Sequence, residues 1–164
     1  MYFYINLYLL FSIIGYFFEE ILMFIIGKSY NSSVLYGPWT SVYGFAVYIM
    51  LIVYYMINRL NYSKKKEKII YYFSISIVLS LLEGLTGLII EKTKNVIYWN
   101  YDNYHFNIGH YMSVEVAFVW GILSVISVYY VIPKIVKFIK KIPKSLTFLL
   151  TVIYVVDVLI SLFK

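Results

Sequence analysis

The amino-acid sequence predicts an all-α fold, a polytopic integral membrane helical bundle. It has about five transmembrane helices plus an outer interfacial or re-entrant aromatic segment, in a single transmembrane domain over residues 1–164. Three observations predict it. The chain is 62% hydrophobic and 13% charged, with mean hydropathy +0.79, more apolar surface than a soluble domain of this size can cover. Its apolar runs are long and lack the period-two alternation of barrel strands, and lipid leaves only helices or closed barrels able to satisfy their own backbone. Lysines gather in two short stretches between those runs, as topology-determining loops do.

The first apolar run, residues 3–26, contains Ser12, Gly15, Glu19 and Glu20. With no cationic leader or small-residue cleavage site, it reads as a retained helix. A polar turn over residues 27–33 leads to Leu35-Tyr36-Gly37-Pro38-Trp39, where Gly-Pro disfavours helix and lets a second span begin at Trp39 and run to about Ile57. Residues 58–68 form a basic loop with Arg59, Lys64, Lys65, Lys66 and Lys68, and the third span covers about residues 69–91.

Residues 92–110 are the least hydrophobic stretch and carry Tyr98-Trp99-Asn100-Tyr101 and Phe106-Asn107-Ile108-Gly109-His110. Trp and Tyr at this density suit the headgroup level. The fourth span covers about residues 111–132, with Glu115 and Trp120-Gly121, and Pro133 is expected to end it. A second basic stretch follows with Lys134, Lys137, Lys140, Lys141 and Lys144. The fifth span, about residues 145–163, carries Asp157.

Both basic stretches belong on the cytoplasmic side by the positive-inside rule. Five spans then put the amino terminus inside, the carboxyl terminus outside, and the segments around Trp39 and Trp99 on the outer face. Counted from the cytoplasmic ends at 1.5 Å per residue, Glu19, Glu20, Glu83 and Asp157 fall about 18 to 24 Å into a ~30 Å hydrocarbon core. Glu115 lies about one turn below the outer surface, and Glu91 and His110 lie close to it. This asymmetry suggests an outward-facing cavity lined by carboxylates and roofed by the aromatic segments.

The third span concentrates the candidate chemistry. Glu83, Gly87 and Glu91 share one helix face at i, i+4 and i+8. An ionisable residue at membrane depth normally faces the bundle interior or a water-filled cavity. Gly84 and Gly87, like Gly15 on the first span, allow close helix packing. The candidate solute-binding residues are Glu19, Glu83, Glu115, His110, Trp39 and Trp99. The bland reading is that these carboxylates glue helices together, snorkel to the interface, or pair with Lys92, Lys94 or His110.

Other chemistries fit less well. The absence of cysteine excludes disulfides, zinc–thiolate sites and thiol catalysis. The net charge of +6 is explained by the two basic stretches meeting anionic lipid, so nucleic acid is not an expected partner. Gly27-Lys28-Ser29 is not a P-loop, because Leu22 stands where the first glycine belongs. ATP-driven work therefore requires a separate ATPase subunit. No cofactor and no hydrolytic constellation is expected, and a metal site built from His105, His110 and Glu115 is a minor reading.

Several blocks carry a family resemblance. They are Gly15-Tyr16-Phe17-Phe18-Glu19, Leu35-Tyr36-Gly37-Pro38-Trp39 with Tyr43-Gly44-Phe45, and Glu83 with Leu85-Thr86-Gly87 and Glu91-Lys92. Trp99-Asn100-Tyr101, Phe106-Asn107-Ile108-Gly109 and Trp120-Gly121 complete the set. In order and spacing, over about residues 10–135, the chain resembles the bacterial ABC-transporter type IV (CmpB-like) membrane permease family. The family usually has Trp, Asp and Arg where this chain has Tyr16, Asn100 and His110, which weakens a charged pair in the outer segment or makes it pH-dependent. The resemblance implies a multi-pass subunit of a bacterial plasma membrane, with a separate ATPase or other membrane subunit as partner and a homo-oligomer as a further possibility.

Three readings stay open. The first is a permease-like subunit whose carboxylates bind a cation or a polar or cationic small solute. The second is a scaffold or sensor that meets a partner through the Gly84/Gly87 face. The third is an intramembrane lipid-modifying enzyme.

Overall fold

A computed structural model describes residues 2–26, 35–161 and 163; the turn expected over residues 27–33 lies outside the described residues. The element order is α1 (Tyr2–Ile26), α2 (Ser41–Asn58), α3 (Lys64–Lys94), β1 (Asn107–Ile108), β2 (Met112–Ser113) and α4 (Val114–Ile126). A π-helical turn (Ser127–Val131), α5 (Ile132–Ile139) and α6 (Lys144–Ser161) follow. α4, the π turn and α5 form one rod, so among the described residues five helical rods are long and apolar enough to cross a membrane. The chain divides into two compact units, Met1–Ile49 with Lys134–Lys164, and Met50–Pro133.

In the first unit, α1 and α6 run parallel. The Lys144 ammonium lies over the Tyr2 ring near their first turns, and Tyr8 and Tyr154 share a hydroxyl hydrogen bond of 2.6 Å further along. α2 returns antiparallel to α1, with the Tyr48 hydroxyl on the Tyr4 carbonyl at 2.7 Å. Leu7, Leu9 and Phe11 of α1 and Ala46 and Val47 of α2 are buried.

The second unit is built on α3. Tyr71, Ile75 and Leu79 form its buried stripe at four-residue spacing, and the next positions in that register are Glu83 and Gly87. Gly121 of α4 lets that helix approach closely, because a Cβ there would collide with Ser76 and the Tyr72 ring.

Three boundary expectations are corrected. Lys64, Lys65, Lys66 and Lys68 do not lie in a loop; they occupy the first turns of α3. Cations there oppose the helix dipole, and Glu67, buried to 2% exposure, offsets this by pairing with Lys64 at 3.1 Å. Pro133 does not end the fourth span. The π turn moves the backbone register, with the Ile132 N–H bonding the Ser127 carbonyl five residues back, so the helix passes through the proline. The second span begins at Ser41, not Trp39, and this displacement shapes the first candidate site.

Candidate functional sites

Residues 35–40, which the sequence suggests as part of an outer roof, are non-helical and lie beside the middle of α1. The Thr40 N–H bonds the Ser12 carbonyl at 3.0 Å, a level ~15 Å along α1 from Tyr2. Trp39 is buried and meets the Tyr154 ring edge-on at 5.7 Å. Non-helical backbone at membrane depth is tolerated only where protein or a water-filled cavity satisfies it.

Asp157, ~20 Å along α6 from Lys144, supplies that satisfaction. Its Oδ1 accepts from the Tyr36 N–H at 3.0 Å and its Oδ2 from the Gly37 N–H at 2.8 Å, while the Ser161 hydroxyl donates to Oδ1 at 3.3 Å. Gly37 is needed for this approach, since a Cβ there would lie 2.8 Å from Asp157 Oδ2. Elsewhere in the same unit, the Tyr43 hydroxyl donates to Glu19 Oε1 at 2.5 Å. Gly15 makes room for the Tyr43 ring.

The second unit holds Glu83 half-buried on α3. Its Oε1 accepts from the Tyr101 hydroxyl at 2.6 Å and its Oε2 from the Trp120 indole N–H at 2.9 Å. One carboxylate thus ties α3 to α4 and to residues 95–113 between them, the outer segment of the sequence expectation. The glycines beside it are occupied from within the chain: a Cβ at Gly84 would lie 2.6 Å from Met112, and one at Gly87 would lie 2.5 Å from the Tyr111 ring.

The outer segment folds around a short hairpin. β1 and β2 pair antiparallel in the register Asn107 with Ser113 and Ile108 with Met112, and Gly109 takes φ +66° in the turn. Glu115 holds this hairpin: Oε1 accepts from the Phe106 N–H at 3.1 Å and Oε2 from the Ser113 hydroxyl at 2.5 Å. Trp99 packs edge-on against Tyr111 at 5.9 Å. His110 Nδ1 lies 2.7 Å from Asp102 Oδ1, and the Asn100 amide donates to Asp102 Oδ2 at 2.7 Å. The Asn100 amide and the His110 ring hold the Asp102 carboxyl below its usual range.

The candidates divide between the two units. Glu83 meets Tyr101 and Trp120, Glu115 and His110 organise the outer segment, and Glu19 and Trp39 belong to the other unit. Among the described residues, no three His, Asp or Glu side chains converge as a metal site would require.

Sequence reasoning passed over two acids. Asp102 takes the pairing role with His110, two residues from Asn100, where the family resemblance directs attention. Glu67 accepts from the Tyr129 hydroxyl at 3.0 Å beside the mutually edge-packed Tyr54, Tyr71 and Tyr129. Its readable signal was Lys64 at i−3.

The family model described as "Putative ABC-transporter type IV" matches residues 6–163. The match extends through α6, beyond the stretch that the sequence motifs carry. No curated protein and no solved structure matches the chain.

Proposed function

Because the chain belongs to this ABC-transporter type IV family, we propose that it is the permease-like subunit of a transport system, with Glu83 as its solute-contacting carboxylate. The solute is a cation or a polar or cationic small molecule. One observation carries the reading: an acid on the buried stripe of α3 is held by side-chain donors of the outer segment and α4, at 2.6 and 2.9 Å.

Tyr101 and Trp120 donate to different oxygens of the carboxylate and so orient it. Both of these donors are neutral, and they hold the acid in place. A cationic group that reaches Glu83 competes with the Tyr101 hydroxyl and thereby loosens the outer segment, which couples solute entry to movement of the cover. Trp99 and the His110–Asp102 pair set the order of that cover.

Glu115 keeps the hairpin closed during this exchange. A separate ATPase subunit supplies the energy, since the sequence carries no nucleotide-binding loop. The basic residues at the start of α3 and around Lys137 to Lys144 favour a bacterial plasma-membrane orientation with the amino terminus inside and the carboxyl terminus outside. A homo-oligomer is part of the same proposal.

The test is uptake of inorganic cations and polyamines by cells expressing wild type or Glu83→Gln with the partner subunits. The amide can accept from Trp120 through its oxygen and donate to the Tyr101 oxygen through its nitrogen, so the fold persists while the charge is gone. Uptake is expected to fall about ten-fold or more, the worth of one charge-assisted hydrogen bond. Unchanged uptake by a folded Glu83→Gln protein contradicts the reading.

A further inference from the structure

Two apolar grooves run along the α3–α4 side of the second unit and share Phe73. The first, about 270 Å³, is lined by Ile69, Tyr72, Ile122 and Val125, with Lys68 at its end. The second, about 350 Å³, continues past Ile77 and Leu81 to Met112 and Phe118. From Lys68 to Leu81 the track is ~20 Å long, which exceeds the ~15 Å depth of a single leaflet's hydrocarbon. An apolar track of that length on membrane-spanning helices matches one extended acyl chain.

The end of the track is charged and fixed. The Lys68 ammonium donates to the Tyr130 hydroxyl at 3.0 Å and lies over the Tyr129 and Tyr130 rings at 5.2 and 4.8 Å. One of its three donors is used by Tyr130, which orients the others. Lys64, Lys65 and Lys66 stand on the same first turns, and the one acid among them, Glu67, is engaged by Lys64 and Tyr129. The field at the groove end is therefore positive.

We propose that this groove binds one anionic phospholipid, its phosphodiester at Lys68 and one acyl chain along Phe73 between α3 and α4. A zwitterionic lipid fills the same apolar track but gains less at Lys68, because its own cation opposes the lysine cluster. Charge complementarity at one fixed lysine distinguishes this from general coating by lipid. The proposal stands independently of the Glu83 reading, since its test reads lipid retention and alters no residue of the Glu83 site.

The experiment is native mass spectrometry of the delipidated full chain in detergent, titrated with an equal mixture of phosphatidylglycerol and phosphatidylcholine of identical chains. Wild type is expected to retain phosphatidylglycerol preferentially. Lys68→Gln should lower that preference about five-fold, the effect of one surface lysine on an anionic lipid, while Lys65→Gln, at an exposed residue outside the groove, should leave it unchanged. Ile122→Trp, which fills the groove with Lys68 intact, should reduce retention of both lipids. The proposal is overturned if wild type shows no preference, if Lys65→Gln and Lys68→Gln reduce it equally, or if Ile122→Trp retains lipid at the wild-type level. Size-exclusion profiles establish that each variant is folded, and Ile122→Trp decides the matter if Lys68→Gln is not.

Discussion

Two non-helical segments, each in its own unit, are tied down by a carboxylate on a neighbouring helix, and the donors differ in kind. Asp157 accepts from the backbone N–H groups of Tyr36 and Gly37, which have no other chemistry to offer and lie beside the middle of α1. Glu83 accepts from the side chains of Tyr101 and Trp120, and Tyr101 sits in the largely exposed outer segment. A backbone donor at membrane depth must be satisfied at all times. A side-chain donor near water can be released and regained at small cost. This difference fits Asp157 serving the fold, and it is the ground on which Glu83 is proposed for exchange with a solute.

The largest effect expected from this contrast is on stability. Asp157→Ala leaves two N–H groups without their acceptor, at ~1–3 kcal/mol each, so thermal unfolding in detergent should show a loss of about 2–6 kcal/mol. A loss below about 1 kcal/mol would break the comparison on the Asp157 side, because it would mean that the 35–40 segment does not need its carboxylate.

Tyr101→Phe removes one donor to a charged acceptor and leaves the backbone paired. A loss of ~1.5 kcal/mol is expected, together with faster hydrogen exchange confined to residues 95–113. Exchange that rises equally across α3 and α4 would show that Glu83 and Tyr101 hold up the whole unit, and would erase the distinction from Asp157.

The smallest effect is the acid dependence of the outer segment. Asp102 has its folded pKa lowered, first by Asn100 and then by His110. Its contribution is present above the ordinary Asp value of ~3.9 and is lost as pH falls through the lower folded value. Asp102→Asn should therefore exchange faster than wild type in this segment above pH ~4, and the two should converge under stronger acid. A difference that persists undiminished at the most acid pH would remove Asp102 titration as its cause.

The spans and the polar helix face at Glu83 were legible in the sequence for a physical reason. Long apolar runs need no partner to be recognised, and an acid spaced four residues from Gly87 declares a polar helix face by itself. The partners were not legible. Trp120 lies 37 residues from Glu83, and Tyr36 lies 121 residues from Asp157, so only tertiary packing brings them together.

Where the sequence misled, a local rule lost to a compensating neighbour. Pro133 reads as a helix end until the π turn re-registers the backbone before it. The lysines from Lys64 onward read as a loop until Glu67 turns inward beneath them. Gly37-Pro38 does mark a break, but composition alone could not say that the break sits beside the middle of α1, because only the Thr40 to Ser12 bond fixes its depth.

The central claim is that charge at Glu83 serves a solute while charge at Asp157 serves the fold. The most direct measurement is the melting temperature of the purified chain against inorganic cations and polyamines, for wild type, Glu83→Gln and Asp157→Asn. A ligand of the native state stabilises by mass action, ~2.7 kcal/mol at a hundred times its Kd. A ligand-dependent rise is expected in wild type, lost in Glu83→Gln and kept, from a lower starting temperature, in Asp157→Asn. A rise that survives in Glu83→Gln and vanishes in Asp157→Asn would contradict it.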